Sequence, residues 1–106
     1  MNETTHPRHR LDPLIHFPIR LSIVACLAEV AEAEFGFVKD TVEISAATLS
    51  KQVALLESSG YLAVRKGYVG RRPRTWLSLT ATGRAALAAH LDALRAIAGP
   101  AGDGDR

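Results

Sequence analysis

Arg71, Arg72 and Arg74, grouped around Pro73, are the residues of this chain whose type and spacing point most clearly to a chemistry. A guanidinium presents a planar fork of N–H donors that fits a phosphate, and several on one short segment repel each other unless a polyanion lies against them. Arg65, Lys66 and Arg84 belong to the same region, and from Ser58 to Leu91 there is no acidic residue to offset them. Just upstream, Ser45-Ala46-Ala47-Thr48 and Ser50-Lys51-Gln52 supply small and polar side chains. Gln52 matches the adenine edge, Lys51 matches guanine O6 and N7, and the methyls of Ala47 and Thr48 can touch thymine, while Ala46 keeps the same face slim. Ser45, Ser50 and Arg65 suit phosphates; Arg71, Arg72 and Arg74 suit a minor groove, with Pro73 stiffening the tip. The expected partner is therefore duplex DNA.

Those groups need elements to hold them. Leu49, Val53 and Leu56 recur at i, i+4, i+7, which predicts a helix from Ser45 with one apolar stripe; Ser45 is the N-cap and Gly60 the stop. Tyr61 to Lys66 and Trp76 to Leu79 read as strands, with Gly67 to Thr75 between them as a basic hairpin tip. Upstream, Phe35 to Val42 reads as a first helix, with Phe37 or Val38 and Val42 turned inward and Ile44 plugging the turn. That turn, Val42-Glu43-Ile44, has no glycine. Asp12-Pro13 opens a short turn to His16, and Pro18 restarts a helix that should end near Ala31, because Glu32 and Glu34 sit badly at a helix C-terminus. This helix is apolar on two sides, Ile19, Ile23, Leu27 and Val30 on one and Phe17, Leu21, Val24 and Ala28 on the other, so it asks for cover from a second subunit. Thr80 caps a last helix, Ala81 to Ala98, with the stripe Leu87, Leu91, Leu94 and Ala98. Leu11, Leu14, Ile15, Leu21, Leu87, Leu91 and Leu94 are the expected homodimer contacts.

In order and spacing, Leu49-Ser50, Leu55-Leu56-Glu57, Gly60-Tyr61-Leu62, Gly70-Arg71-Arg72-Pro73-Arg74 and Leu79-Thr80-Ala81-Thr82-Gly83-Arg84 resemble the winged helix-turn-helix transcriptional regulators, in particular small single-domain regulators of the MarR type. The resemblance spans residues 11 to 98. It implies a mainly α fold with a small β-hairpin wing (α+β), dimerising through its N- and C-terminal helices. It further implies helix 45–59 in the major groove, wing 67–75 on the backbone or minor groove, and action as a repressor. Regulators of this kind often bind a small aromatic or apolar effector between the dimer helices and the reading lobe; His16, Phe17, Arg20, Val24, Phe35 and Trp76 are the candidates to line such a pocket.

Composition limits the alternatives. A length of 106 residues with 47% apolar and 23% charged residues fits one globular domain, expected at 11–98 between a flexible arm, 1–10, and a disordered tail, 99–106. The formal charge of +2 hides an acidic first half and a basic second half. Cys26 is the single cysteine, which excludes an internal disulfide and a cysteine-built zinc site and suits packing as a small hydrophobe. No apolar run reaches membrane length and Met1-Asn2-Glu3-Thr4 lacks a leader's character, so a cytoplasmic protein is expected, without a membrane partner. No GxSxG, HExxH, P-loop or GxGxxG occurs, and the histidines at 6, 9, 16 and 90 lack metal-ligand spacing. No enzyme, cofactor or metal is expected. The alternative reading is a winged helix that docks an acidic protein instead of DNA.

Overall fold

The computed structural model describes residues 5–99; residues 1–4 of the expected arm and 100–106 of the expected tail lie outside that range. Within the stretch expected as a flexible arm, Pro7–Arg10 forms a short 3-10 turn, capped by His6 and lying against the last helix. Asp12 closes the next turn as expected, its Oδ1 accepting from the N–H groups of Leu14 at 2.9 Å and Ile15 at 3.4 Å.

α1 runs Pro18–Ala28, with Phe17 extended ahead of the proline. It stops short of Ala31, because Arg84 donates to the carbonyls of Ala28 and Val30, each at 3.1 Å, and so satisfies the helix end. An unforeseen strand follows, β1, Ala33–Glu34. α2, Phe35–Val42, has the expected bounds, with Val38 buried and Phe37 turned out. Glu43 then takes the left-handed conformation at φ 63, ψ 54, the one place in this turn where glycine would have been free of strain.

α3, Ala46–Ser58, is capped by the Ser45 hydroxyl and followed by Gly60 at φ 82. β2, Leu62–Val69, and β3, Arg72–Leu79, pair from Leu62↔Leu79 to Val69↔Arg72, leaving only Gly70-Arg71 as the turn. Most of the stretch read as the hairpin tip, 67–75, is thus strand, and Pro73 lies inside β3. It is tolerated because β1 covers β3 only at Leu77 and Trp76, so the edge beside Pro73 has no ladder to lose. The sheet order is β1-β3-β2. α4, Ala81–Ala98, is capped by Thr80, whose Oγ1 accepts from Gly83 N–H at 3.0 Å and donates to the Gly60 carbonyl at 2.6 Å. Gly83 packs so closely that a Cβ there would collide with the Tyr61 carbonyl.

The core joins Ile23, Val24 and Leu27 of α1 to Val38, Leu49, Val53, Leu56, Leu62, Leu77, Leu79 and Leu87. The two flanks of that buried stripe of α1, Ile19 and Cys26 on one side and Leu21 and Ala28 on the other, are partly buried. Of the expected dimer contacts, Ile15 and Leu87 are already buried within the chain and have no area left to give. Leu11, Leu14, Leu21, Leu91 and Leu94 are half-buried, and Ile97 beside them in α4 is 40% exposed. The inward stripe of α4 is Gly83, Leu87, His90 and Ala93, rotated from the expected one.

A polar seam binds the N-terminal turn to α4 and α3. His90 is fully buried, and its Nδ1 accepts from the Asp12 N–H at 3.0 Å. Nδ1 therefore carries no proton, and Nε2–H donates to His16 Nδ1 at 3.3 Å. Burial, reinforced by His16 and opposed by Asp12, holds His90 below the usual imidazole range. The Tyr61 hydroxyl donates to Asp12 Oδ2 at 2.5 Å, which pushes the phenol's pKa up. Arg20 continues the seam, donating from Nε to the Leu14 carbonyl at 2.5 Å and from Nη1 to Gln52 Oε1 at 2.9 Å.

Candidate nucleic-acid interface

The core stripe of α3 decides which side faces out. Ala46, Ala47, Ser50 and Lys51 are exposed and Thr48 half-buried, so the outward side near the start of the helix holds nothing bulkier than one lysine. A major groove about 12 Å wide accepts such a helix. Gln52 is different from what its type suggested. It lies three residues after Leu49 and four before Leu56, on the same stripe, and is 7% exposed with its oxygen held by Arg20. In this conformation it reads no base. Ser45 serves as the helix cap: its Oγ accepts from Thr48 N–H and donates to Thr48 Oγ1, both at 3.0 Å.

The hairpin sorts its cations into two sets. Arg65 grips Glu32 through both carboxylate oxygens, Nη2 to Oε1 at 2.6 Å and Nε to Oε2 at 3.2 Å, and lies 4.0 Å over the Trp76 ring. That bond holds the Glu32 carboxyl below the usual range and raises the guanidinium's own pKa. Arg74 Nε meets Glu34 Oε1 at 3.1 Å. Both carboxylates are delivered by β1 and the residue before it, so Arg65, read from the sequence as a phosphate ligand, and Arg74, read as a minor-groove contact, are charge-compensated. Arg71, Arg72, Lys66 and Lys51 are in no ion pair among the described residues.

Alternation along the paired strands gives the hairpin two distinct faces. Arg65, Gly67 and Val69 share one with Trp76, Arg74 and Arg72; Val64, Lys66 and Tyr68 share the other with Leu77, Thr75 and Pro73. The second face looks toward α3 across an open groove of about 360 Å³, floored by Phe35, Val53, Val64 and Leu77 and rimmed by Ser50, Ala54, Glu57, Lys66 and Thr75. Tyr68, at the outer end of this face, was not singled out by the sequence; its exposed aromatic type beside Arg71 and Arg72 was the available signal.

The profile of the winged helix DNA-binding domain family matches residues 19–98. The chain belongs to that family. This winged helix domain is similar in fold to the transcriptional regulator homologue from Pyrococcus horikoshii OT3, with TM-score 0.79 and 23% identity over 92% of this chain and 95% of that one. It is similar to NadR, solved in complex with 4-hydroxyphenylacetate, with TM-score 0.69 and 23% identity over 86% of this chain and 64% of that one. A MarR family transcriptional regulator from Silicibacter pomeroyi DSS gives TM-score 0.63 and 24% identity over 76% of this chain and 52% of that one. None of the curated proteins matches the chain by sequence.

The residues expected to line an effector pocket divide within this winged helix domain. His16, Phe17 and Arg20 group at the start of α1, with the Arg20 guanidinium 4.4 Å over the Phe17 ring. Val24 is fully buried in the core, Phe35 lines the groove beneath α3, and Trp76 lies under Arg65. Among the described residues no cluster of His, Cys, Asp and Glu is arranged to hold a metal ion, and no helix is long and apolar enough to cross a membrane. Burial raises the pKa of the Cys26 thiol, which disfavours the reactive thiolate.

Proposed function

We propose that this winged helix domain is a dimeric transcription regulator that binds a duplex operator sequence-specifically and represses by occupying it. α3 enters the major groove, with Ala46, Ala47, Thr48 and Lys51 toward base edges and Ser50 toward phosphate. The hairpin, led by Arg71 and Arg72, meets the adjacent backbone or minor groove. The observation that carries this reading is the slim exposed side of α3 standing beside a hairpin whose Lys66, Arg71 and Arg72 have no carboxylate partner among the described residues. The half-buried Leu11, Leu14, Leu21, Leu91 and Leu94 with the exposed Ile97 support a second copy against α1 and α4. A twofold pair reads half-sites about 34 Å apart, one duplex turn. Residues 11–98 act as the working unit. Release by a small aromatic or apolar molecule at His16, Phe17 and Arg20 completes the reading, supported by NadR's complex with 4-hydroxyphenylacetate.

Selection of bound fragments from genomic DNA, followed by a gel shift of the enriched duplex in moderate salt, tests it. The expected result is an inverted repeat retained well below micromolar protein. No retention at micromolar protein would leave the alternative, a winged helix that docks an acidic protein.

A further inference from the structure

Tyr68 is 71% exposed and the neighbouring Val69 52% exposed at the end of β2, where a large apolar surface in water is unfavourable and no described residue covers it. The register gives this ring a direction. Tyr68 pairs with Pro73 and shares its face with Lys66 and Thr75, both on the rim of the groove that separates the hairpin from α3. Arg72 and Arg74 fall on the opposite face, where Arg74 is tied to Glu34. Along the side of the wing that looks toward the recognition helix, the outermost side chain is therefore aromatic. The unpaired cations near it, Lys66 on the same face, Arg71 at the turn and Arg72 at the start of β3, call for a polyanion, and a duplex presents phosphates flanking the apolar sugar walls of its grooves.

We propose that Tyr68 is a DNA-contacting residue, its ring laid on the deoxyribose wall of the groove flanking the one that α3 enters and its hydroxyl donating to a phosphate. This rests on the DNA-binding reading above and adds to it a contact of a different physical kind. An arginine on a phosphate displaces counterions, so its contribution fades with salt; a ring on a sugar wall displaces none, so its contribution persists.

Fluorescence anisotropy of the selected duplex across a salt series, with wild type, Tyr68→Ala, Tyr68→Phe and the Arg71→Ala/Arg72→Ala pair, separates the two. Tyr68→Ala is expected to weaken binding about tenfold at every salt concentration and to leave the salt slope unchanged. Tyr68→Phe is expected to keep the larger part of the affinity, losing only the hydroxyl's share. The arginine pair is expected to flatten the slope. Because the ring is exposed, the thermal midpoint of both tyrosine variants should equal that of wild type. Wild-type affinity in Tyr68→Ala, a slope change like that of the arginine pair, or an equal loss in Tyr68→Phe and Tyr68→Ala would overturn the assignment. In each of those cases the flattened slope of the arginine pair would leave the DNA reading standing, whereas failure of wild type itself to bind the duplex would overturn both.

Discussion

At the hairpin, Arg65 and Arg74 meet Glu32 and Glu34 in contact with water; at α4, His90 is shut away from solvent, uncharged, and bonded on both ring nitrogens. Exposed pairs of the first kind are screened by salt and hold little folding energy, but they set how much positive charge remains for a polyanion. The buried seam does the reverse. Its two buried polar side chains, His90 and Gln52, would be left unpaired away from water if a neighbour were lost. One end of this winged helix domain is arranged to be available and the other to be fixed, with Gly83 and Tyr61 packed where α4 meets the start of the wing.

Breaking that junction should have the largest effect. Gly83→Ala drives a methyl into the Tyr61 carbonyl, which only a backbone shift relieves, and is expected to cost about 3 kcal/mol in urea unfolding. His90→Ala comes next, at about 2 kcal/mol, because it orphans the Asp12 N–H and leaves a void. The same histidine gives the stability a pH dependence. Its folded pKa lies below the ordinary value of 6.5, so the unfolded chain takes up a proton first as pH falls, and stability present above pH 6.5 drains away below it. Unfolding midpoints measured from pH 7.5 to 5.5 should fall in wild type, and this contribution should be missing in His90→Ala.

The hairpin end should answer oppositely. Glu32→Gln combined with Glu34→Gln frees Arg65 and Arg74, and is expected to raise duplex affinity severalfold in low salt while barely moving the thermal midpoint. A large loss of stability without a gain in affinity would erase the contrast between the two ends. The smallest effect belongs to neither: Glu43→Gly relieves the left-handed turn but loosens the unfolded chain, for a net gain of about 0.5 kcal/mol by denaturant titration.

α3 and α4 were legible because each announced itself twice, by an apolar period and by a side-chain cap, Ser45 ahead of Leu49, Val53 and Leu56 and Thr80 ahead of Leu87. α1 and α2 have no side-chain cap and were readable from Pro18 and from Val38 and Val42 alone. β1 was not legible, since two residues hold no period and gain strand geometry only by pairing with Leu77 and Trp76. That omission hid the partners of Arg65 and Arg74, so the basic run looked more uniform than it is. Gln52 was misplaced because its polarity outweighed its position on the buried stripe, and only Arg20, distant in sequence, makes its burial tolerable. The exposed side of α3 and the unpaired Arg71 and Arg72 were readable, as they depend on local periodicity and local charge. The inward stripe of α4 was not, because His90 is drawn inside by Asp12 and His16, partners distant in sequence.

Methylation interference on the selected duplex addresses the placement of α3 most directly, since guanine N7 lies in the major groove. Wild type is expected to be blocked by methylation at a few discrete guanines in each half-site, with Lys51→Ala losing sensitivity at one of them and keeping the rest. Binding that ignores N7 methylation throughout, with the same footprint in Lys51→Ala, would mean that the exposed side of α3 does not read the groove.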